Sequence, residues 1–376
     1  MRFSDIIDQE FALKVLKHSI VTDAISHAYM FSGLEGVGKT TTARAFAAAL
    51  NCSERTPDGD ACGECWSCRA IAEERHPDVE MIAPETEQTK IAQMRDMRHR
   101  AQFPPIRSPW KVIIIERAET LNGDSASAIL KILEEPPSYA VMLLLTRNTS
   151  TVLPTILSRC QSVRFRQMPA DALKAVLLER FEADEEKADF LARYSEGRPG
   201  IAISLLDDVE FFARRDAMIE LASRAAGAPR ANALRLAEDL RKICAPPKAP
   251  KKTKAKAVKG AKPAPLAEAA PPPPPDEDAG EESAGAPAKG GRREIRQGFD
   301  SLILWYRDLL SLSLIGPDAP LINIDKKVEL AEQLPRMKAS ALPSILDSLI
   351  WAKRAIESNA NTQLVTEVLV MRLLRR

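Results

Sequence analysis

The stretch Gly33-Leu34-Glu35-Gly36-Val37-Gly38-Lys39-Thr40 fits the phosphate-loop pattern G-x-x-x-x-G-K-[ST]. That motif needs a strand before it and a helix after it. Ala28 to Phe31 reads as a buried strand, and Thr41 to Leu50 as an alanine-rich helix. Glycines Gly33, Gly36 and Gly38 let the backbone turn its N–H groups inward around phosphate oxygens. The helix N-terminus adds partial positive charge. In this reading Lys39 reaches the β- and γ-phosphates and Thr40, beside Thr41, holds Mg²⁺. A glycine-rich turn matching by chance is the competing reading, and the flanking strand and helix weigh against it.

Further strands are expected along the chain. Lys111-Val112-Ile113-Ile114-Ile115 is a short β-branched run, the strongest buried-strand signal present. Val79 to Ile82, Val141 to Leu145 and Val163 to Phe165 add three more, with helices between them. This alternation predicts a parallel α/β domain over residues 1–166. In a phosphate-loop ATPase the strand over 111–115 should end in Asp-Glu, the Asp serving Mg²⁺ and the Glu the attacking water. Here Glu116 stands in the first position, where its longer side chain still reaches the metal shell, and Arg117 in the second. An arginine cannot act as a base at neutral pH.

Cys52, Cys62, Cys65 and Cys68 follow the loop helix with spacing C-x9-C-x2-C-x2-C. Two overlapping C-x2-C pairs and one earlier cysteine can converge on one tetrahedral Zn²⁺. Four of the six cysteines of the chain lie in this polar stretch, which disfavours unrelated buried thiols. A closed Cys₄ site has no open coordination position, so its role is structural.

Beyond residue 166, amphipathic patterns over Asp171 to Phe181 and Glu185 to Tyr194, and a third from Ile201, predict a small helical lid over 167–207. Residues 208–376 are expected to form an all-helical domain, interrupted by a disordered linker over 245–294. That linker is Ala-, Pro-, Lys- and Glu-rich, with seven lysines between Lys248 and Lys262 and a run from Pro271 to Pro275. The lysine run is read as solvated linker rather than as a nucleic-acid contact. Trp305 and Trp351 both sit in apolar helical patterns and are expected in the core. Charges nearly cancel, 53 basic against 52 acidic, so any DNA contact must be local. No apolar run reaches the ~18 residues of a membrane span, and the N-terminus shows no signal-peptide core. A cytoplasmic protein without membrane contact and without disulfides is expected.

Together these pieces resemble the bacterial clamp-loader subunits of DNA polymerase III, an AAA+ family. The resemblance rests on His27-Ala28-Tyr29 before the loop and on Val37 to Thr41 followed by Asn51-Cys52 and the cysteine module. It rests also on Leu133-Glu134-Glu135-Pro136-Pro137, Leu157-Ser158-Arg159-Cys160, Asn359-Ala360-Asn361 and Leu364. It implies an AAA+ phosphate-loop domain, a helical lid and a C-terminal collar. It also implies ATP or ADP with Mg²⁺, a structural Zn²⁺, and a place beside gamma/tau and delta subunits in a ring that loads a sliding clamp on primer-template DNA. Two subunit types share these features, the gamma/tau ATPase and the delta-prime subunit. The gamma/tau pattern has Gly-x-x-Arg at the start of a lid helix, and Gly197-Arg198-Pro199-Gly200 puts Gly200 at that arginine. The chain also lacks the long extra domains of tau. With Arg117 and Gly200 wrong for hydrolysis in cis, the resemblance points to delta-prime, with an active gamma/tau-like ATPase as the alternative. It further implies that Arg159 enters a neighbouring subunit's ATP site as an arginine finger, while Cys160 packs in the core.

Overall fold

Five short segments make the strands: β1 Ala28–Ser32, β2 Val79–Ile82, β3 Lys111–Ile115, β4 Ala140–Thr146 and β5 Gln161–Arg164. A computed structural model describes residues 1–84, 91–121, 123–245 and 289–374. The strands pair in the order β2-β3-β4-β1-β5, every pair parallel, with Ala28 opposite Met142 and Ile113 also opposite Met142. Parallel neighbours cannot be joined by a tight turn, so helices carry the crossovers.

These helices are α1 Glu10–Val21, α2 Lys39–Leu50, α3 Trp66–Ala72, α4 Ile91–Ala101, α5 Gly123–Glu134 and the single turn α6 Pro154–Leu157. Successive strand residues face opposite sides of a sheet, and both sides are covered here. Tyr29, Phe31, Val112, Ile114, Val141 and Leu143 pack with Leu16, Phe46 and Leu50 from α1 and α2. Their neighbours Met30, Ile113, Ile115, Met142 and Leu144 pack with Met94, Met97, Ile129 and Ile132 from α4 and α5. Full burial of β1 and β4 follows from this two-sided cover.

Three more helices complete this unit: α7 Ala170–Phe181, α8 Glu185–Tyr194 and α9 Pro199–Leu206. Met1–Asp208 forms one compact unit, and Val209–Arg376 a second. The second unit is helical: α10 Val209–Gly227, α11 Ala233–Ile243, α12 Lys289–Ile315, α13 Lys327–Gln333, α14 Leu342–Glu357 and α15 Thr362–Leu373. Its core gathers Phe299, Leu302, Trp305, Tyr306 and Leu309 of α12 around Leu349 and Leu369. Several buried polar side chains there are paired. Trp305 Nε1 donates to Gln333 at 2.8 Å, and Arg215 donates to Asp325 at 2.6 Å and to Asn323 at 2.8 Å.

Several sequence expectations need correction. Helix α12 begins at Lys289, inside the stretch expected to be linker up to 294, and its Arg292 bonds Asn359. The rest of the lysine- and proline-rich stretch, 246–288, lies outside the described residues. Trp305 is fully buried, but Trp351 is 37% exposed and stacks under the Arg372 guanidinium at 4.1 Å. Its neighbours Leu349 and Ala352 hold the core-facing side of α14, which leaves Trp351 about 100° or more around the helix from them. The last strand is Gln161–Arg164, with Phe165 just beyond it donating its N–H to Ser32 at 2.8 Å.

Candidate functional site

The phosphate loop leaves β1 at the carboxyl edge of the sheet, where ligands bind in open parallel sheets. Gly36 and Gly38 have φ of 84° and 101°, the left-handed region that favours glycine. Gly38 sits at the N-cap of α2 without a side-chain cap, so the first N–H groups of the helix are left for a ligand. A cavity of about 260 Å³ lies over this end. It is lined by Gly36, Gly38, Lys39, Thr40, Thr41 and Glu116, together with Glu35, Arg117, Glu119, Arg147 and Gly200. Gly33, the first glycine of the motif, is not among the lining residues; a Cβ there would meet the Phe165 carbonyl oxygen at 2.6 Å.

Lys39 turns back onto the loop, where its ammonium donates to the carbonyls of Gly33 and, at 2.7 Å, Leu34. Burial lowers its pKa from the ordinary 10.5 to about 8; Glu119 opposes the shift and Arg147 adds to it. Thr40 Oγ1 donates to Glu116 Oε1 at 3.2 Å. The hydroxyl and carboxylate expected around Mg²⁺ therefore meet, although they come from different strands' ends. Arg117 also lines the cavity and adopts φ of 52°, a left-handed conformation unusual for a side-chain-bearing residue.

Gly200, the second residue of α9, reaches the loop by its backbone. Its N–H donates to the Gly36 carbonyl at 2.8 Å, and a Cβ at Gly200 would stand 2.9 Å from that oxygen. Arg198 turns away, donating to the Ser195 carbonyl at 2.7 Å. Sequence reasoning missed three charged lining residues, Glu35, Glu119 and Arg147. The only signal for Arg147 was its place in the polar run directly after β4.

The Cys52, Cys62, Cys65 and Cys68 sulfurs all lie within 4.8 Å of one another. The pairs Cys62–Cys68 and Cys52–Cys65 are both at 3.9 Å. That is far beyond a disulfide bond and close to the ~3.8 Å edge of a tetrahedron with Zn–S bonds of about 2.3 Å. Backbone N–H groups of Cys62 and Glu54 donate to the Cys52 sulfur at 3.3 and 3.4 Å. Those of Cys65 and Glu64 serve Cys62 at 3.3 and 3.4 Å. Such donors favour thiolates, the ligating form. Burial raises the Cys65 thiol, but hydrogen bonds from Cys68 and Ser53 outweigh it and bring it to about 6, whereas burial holds the Cys52 and Cys68 thiols above their ordinary value. The donor set fits one metal ion.

Arg159 lies elsewhere in the same unit, just after α6 and outside the cavity lining. Its guanidinium donates to Glu134 Oε1 at 2.9 Å and to the Thr155 carbonyl at 3.0 Å, and its side chain stays 37% exposed. Cys160 beside it packs against the core on the α4–α5 side, and burial pushes its thiol up to about 12.

Parallel sheet, glycine loop, helix N-terminus and facing acid make the first unit a phosphate-loop α/β domain. Residues 8–169 match the family described as DNA polymerase III, delta subunit. DNA polymerase III subunit tau of Bacillus subtilis (strain 168) is 34% identical over 216 residues, 56% of this chain and 38% of that protein. Subunit tau of Escherichia coli (strain K12) is 37% identical over 210 residues, 54% of this chain and 32% of that protein. A solved DNA polymerase III, gamma subunit-related protein from Thermotoga maritima aligns with 98% of this chain and 99% of its own at 17% identity. Its TM-score is 0.41. The chain spans about a third of the length of the curated relatives it matches. Residues 8–169 are thus similar to the DNA polymerase III delta-subunit family, and just over half of the chain is similar to the tau subunits of these two bacteria. Among the described residues no helix is long and apolar enough to cross a membrane.

Proposed function

We propose that this chain is a clamp-loader subunit of delta-prime type, helping ATP-driven loading of a sliding clamp on primer-template DNA without hydrolysing ATP itself. The observation that carries this reading is a division of labour. The cavity keeps Lys39, Thr40 and Glu116 together, yet Arg117 stands where a water-activating acid is needed and Gly200 is packed on the loop. Arg159, in contrast, stays outside that cavity and half exposed. Gly36, Gly38, Lys39, Thr40 and Thr41, with Gly33 at the loop's entry, hold ATP or ADP, and Glu116 with Thr40 holds Mg²⁺. Cys52, Cys62, Cys65 and Cys68 hold a structural Zn²⁺. Arg159 acts in trans on nucleotide bound by a gamma/tau neighbour, an arginine being always charged and able to contact two phosphate oxygens. Gamma/tau and delta subunits are the partners, and the setting is cytoplasmic.

The intact loop and the relatives named tau favour one other reading, an active gamma/tau-like ATPase. Purified chain decides between them. ATP binding without turnover is expected; steady turnover abolished by Lys39→Ala would establish the gamma/tau reading instead.

A further inference from the structure

The run Leu133-Glu134-Glu135-Pro136-Pro137 has no task in the nucleotide cavity or the cysteine module. Pro136 bars Glu135 from helical backbone, so α5 ends at Glu134 and leaves two acids at the negative end of a helix, where they are disfavoured. Glu134 meets Arg159 there. The root of Arg159 is fixed: its N–H donates to the Ile156 carbonyl at 3.1 Å, the Cys160 N–H donates to the Leu157 carbonyl at 3.2 Å, and Ile156 is fully buried. Because the Arg159 N–H goes to Ile156, the Thr155 carbonyl is open to side chains. It accepts from the Ser158 hydroxyl at 3.1 Å and from Arg159 Nη1 at 3.0 Å, while Arg159 Nη2 donates to Glu134 Oε1 at 2.9 Å. The guanidinium is thus held from the ends of two helices, α5 and α6. It has more N–H donors than these contacts consume, so it can meet phosphate oxygens without releasing either.

We propose that Glu134 is a positioning residue for the reaction in trans: it holds the Arg159 guanidinium in the orientation in which it meets a neighbour's bound nucleoside triphosphate. This role rests on the reading of Arg159 as a finger given above. Arg159 and Glu134 are 37% and 52% exposed, and an ion pair so open to water contributes little to stability. What the pair changes is the freedom of the arginine. An unheld arginine samples many rotamers, and ordering it costs free energy in the step that needs it. A small misplacement of a group that must meet the reacting phosphate costs rate steeply. Geometry rather than charge is what Glu134 supplies, because a carboxylate beside the guanidinium offsets part of the positive charge that phosphate attracts. Ile132 and Leu133 share a buried core with Ile113 of β3 and Met142 of β4, so the end of α5 refers that orientation to the sheet.

The test is single-turnover phosphate release by the complex assembled with gamma/tau, delta, clamp and primed DNA, read in the phase that Arg159→Ala removes. Glu134→Ala is expected to slow that phase about tenfold at saturating ATP, with the half-saturating ATP concentration unchanged, since Arg159 acts on the reacting nucleotide and not on its capture. Glu134→Gln, whose side-chain oxygen accepts the same bond, should stay within about twofold of the unaltered chain. Glu134→Asp keeps the charge but falls a methylene short of the guanidinium, and should be as slow as Glu134→Ala. Glu134→Ala combined with Arg159→Ala should be no slower than Arg159→Ala alone, because Glu134 acts only through that residue. An unslowed Glu134→Ala overturns this role. So does a slow Glu134→Gln beside a fast Glu134→Asp, since charge alone then decides, or a double variant slower than Arg159→Ala. Melting temperatures are expected to be the same throughout; should Glu134→Ala melt lower, the Gln and Asp variants still decide. If Arg159→Ala removes no phase, the finger reading falls and this role with it. If Arg159→Ala removes the phase while Glu134→Ala keeps it at full rate, the finger stands and only the role of Glu134 falls.

Discussion

Lys39 carries the sharpest pH signature. Its folded pKa, about 8 against an ordinary 10.5, means that the unfolded chain holds more protons between those values. Stability therefore rises across that window as the buried charge is relieved. Phosphate binding runs the other way, because it needs the ammonium. ATP affinity is expected to be level below pH 8 and to weaken above it, and the slope should disappear in Lys39→Ala; a binding titration from pH 6.5 to 9.5 measures both. Gly200 is the second residue-scale case. Adding one methyl 2.9 Å from the Gly36 carbonyl oxygen overpacks a backbone contact. Gly200→Ala should cost about 1–3 kcal/mol in chemical denaturation. The residues of the loop were legible because the motif is a backbone requirement written in glycine. Glu35, Glu119 and Arg147 were not, because only the parallel pairing of β1 with β4 brings position 147 beside position 35.

At the level of elements, the cysteine module and α2 are one piece. Cys52 lies just past the end of α2, Cys65 caps the N-terminus of α3 through its sulfur, and Cys68 sits within α3. A metal there ties the far end of the loop helix to α3. Structural zinc of this kind contributes on the order of 10 kcal/mol of folding free energy. Chelation, or Cys65→Ser, should lower the melting temperature of the first unit and loosen α2. Metal content near zero in chain purified without chelator would remove this claim. The β-branched run of β3 was readable alone, whereas α3 was not, since its cap is a thiol and its length is seven residues. The edge strand β5 was misplaced because Gln161, Ser162 and Arg164 are exposed polar residues with one buried valine between them.

For the whole molecule the decisive measurement is made in the assembled complex. Arg159→Ala, mixed with gamma/tau, delta, clamp and primed DNA, should depress DNA-stimulated ATPase, with turnover at the affected interface reduced by ~10³ or more. Unchanged ATPase would sink the finger role. The second unit shows where helical periodicity loses its force. It finds α12 and α14, yet α14 turns Leu349 inward and Trp351 outward, a choice that no local pattern of apolar residues encodes.

The hydrogen bond between Gly36 and Gly200 also has a historical side. With the lid backbone seated on the loop, any β-carbon at position 200 meets a carbonyl oxygen. An arginine placed there would break the contact before it could offer a charge to nucleotide. On the delta-prime reading proposed above, an arginine at position 200 would need α9 to retreat first, through at least one separate substitution. Under that proposal, this packing would keep turnover dependent on neighbouring subunits.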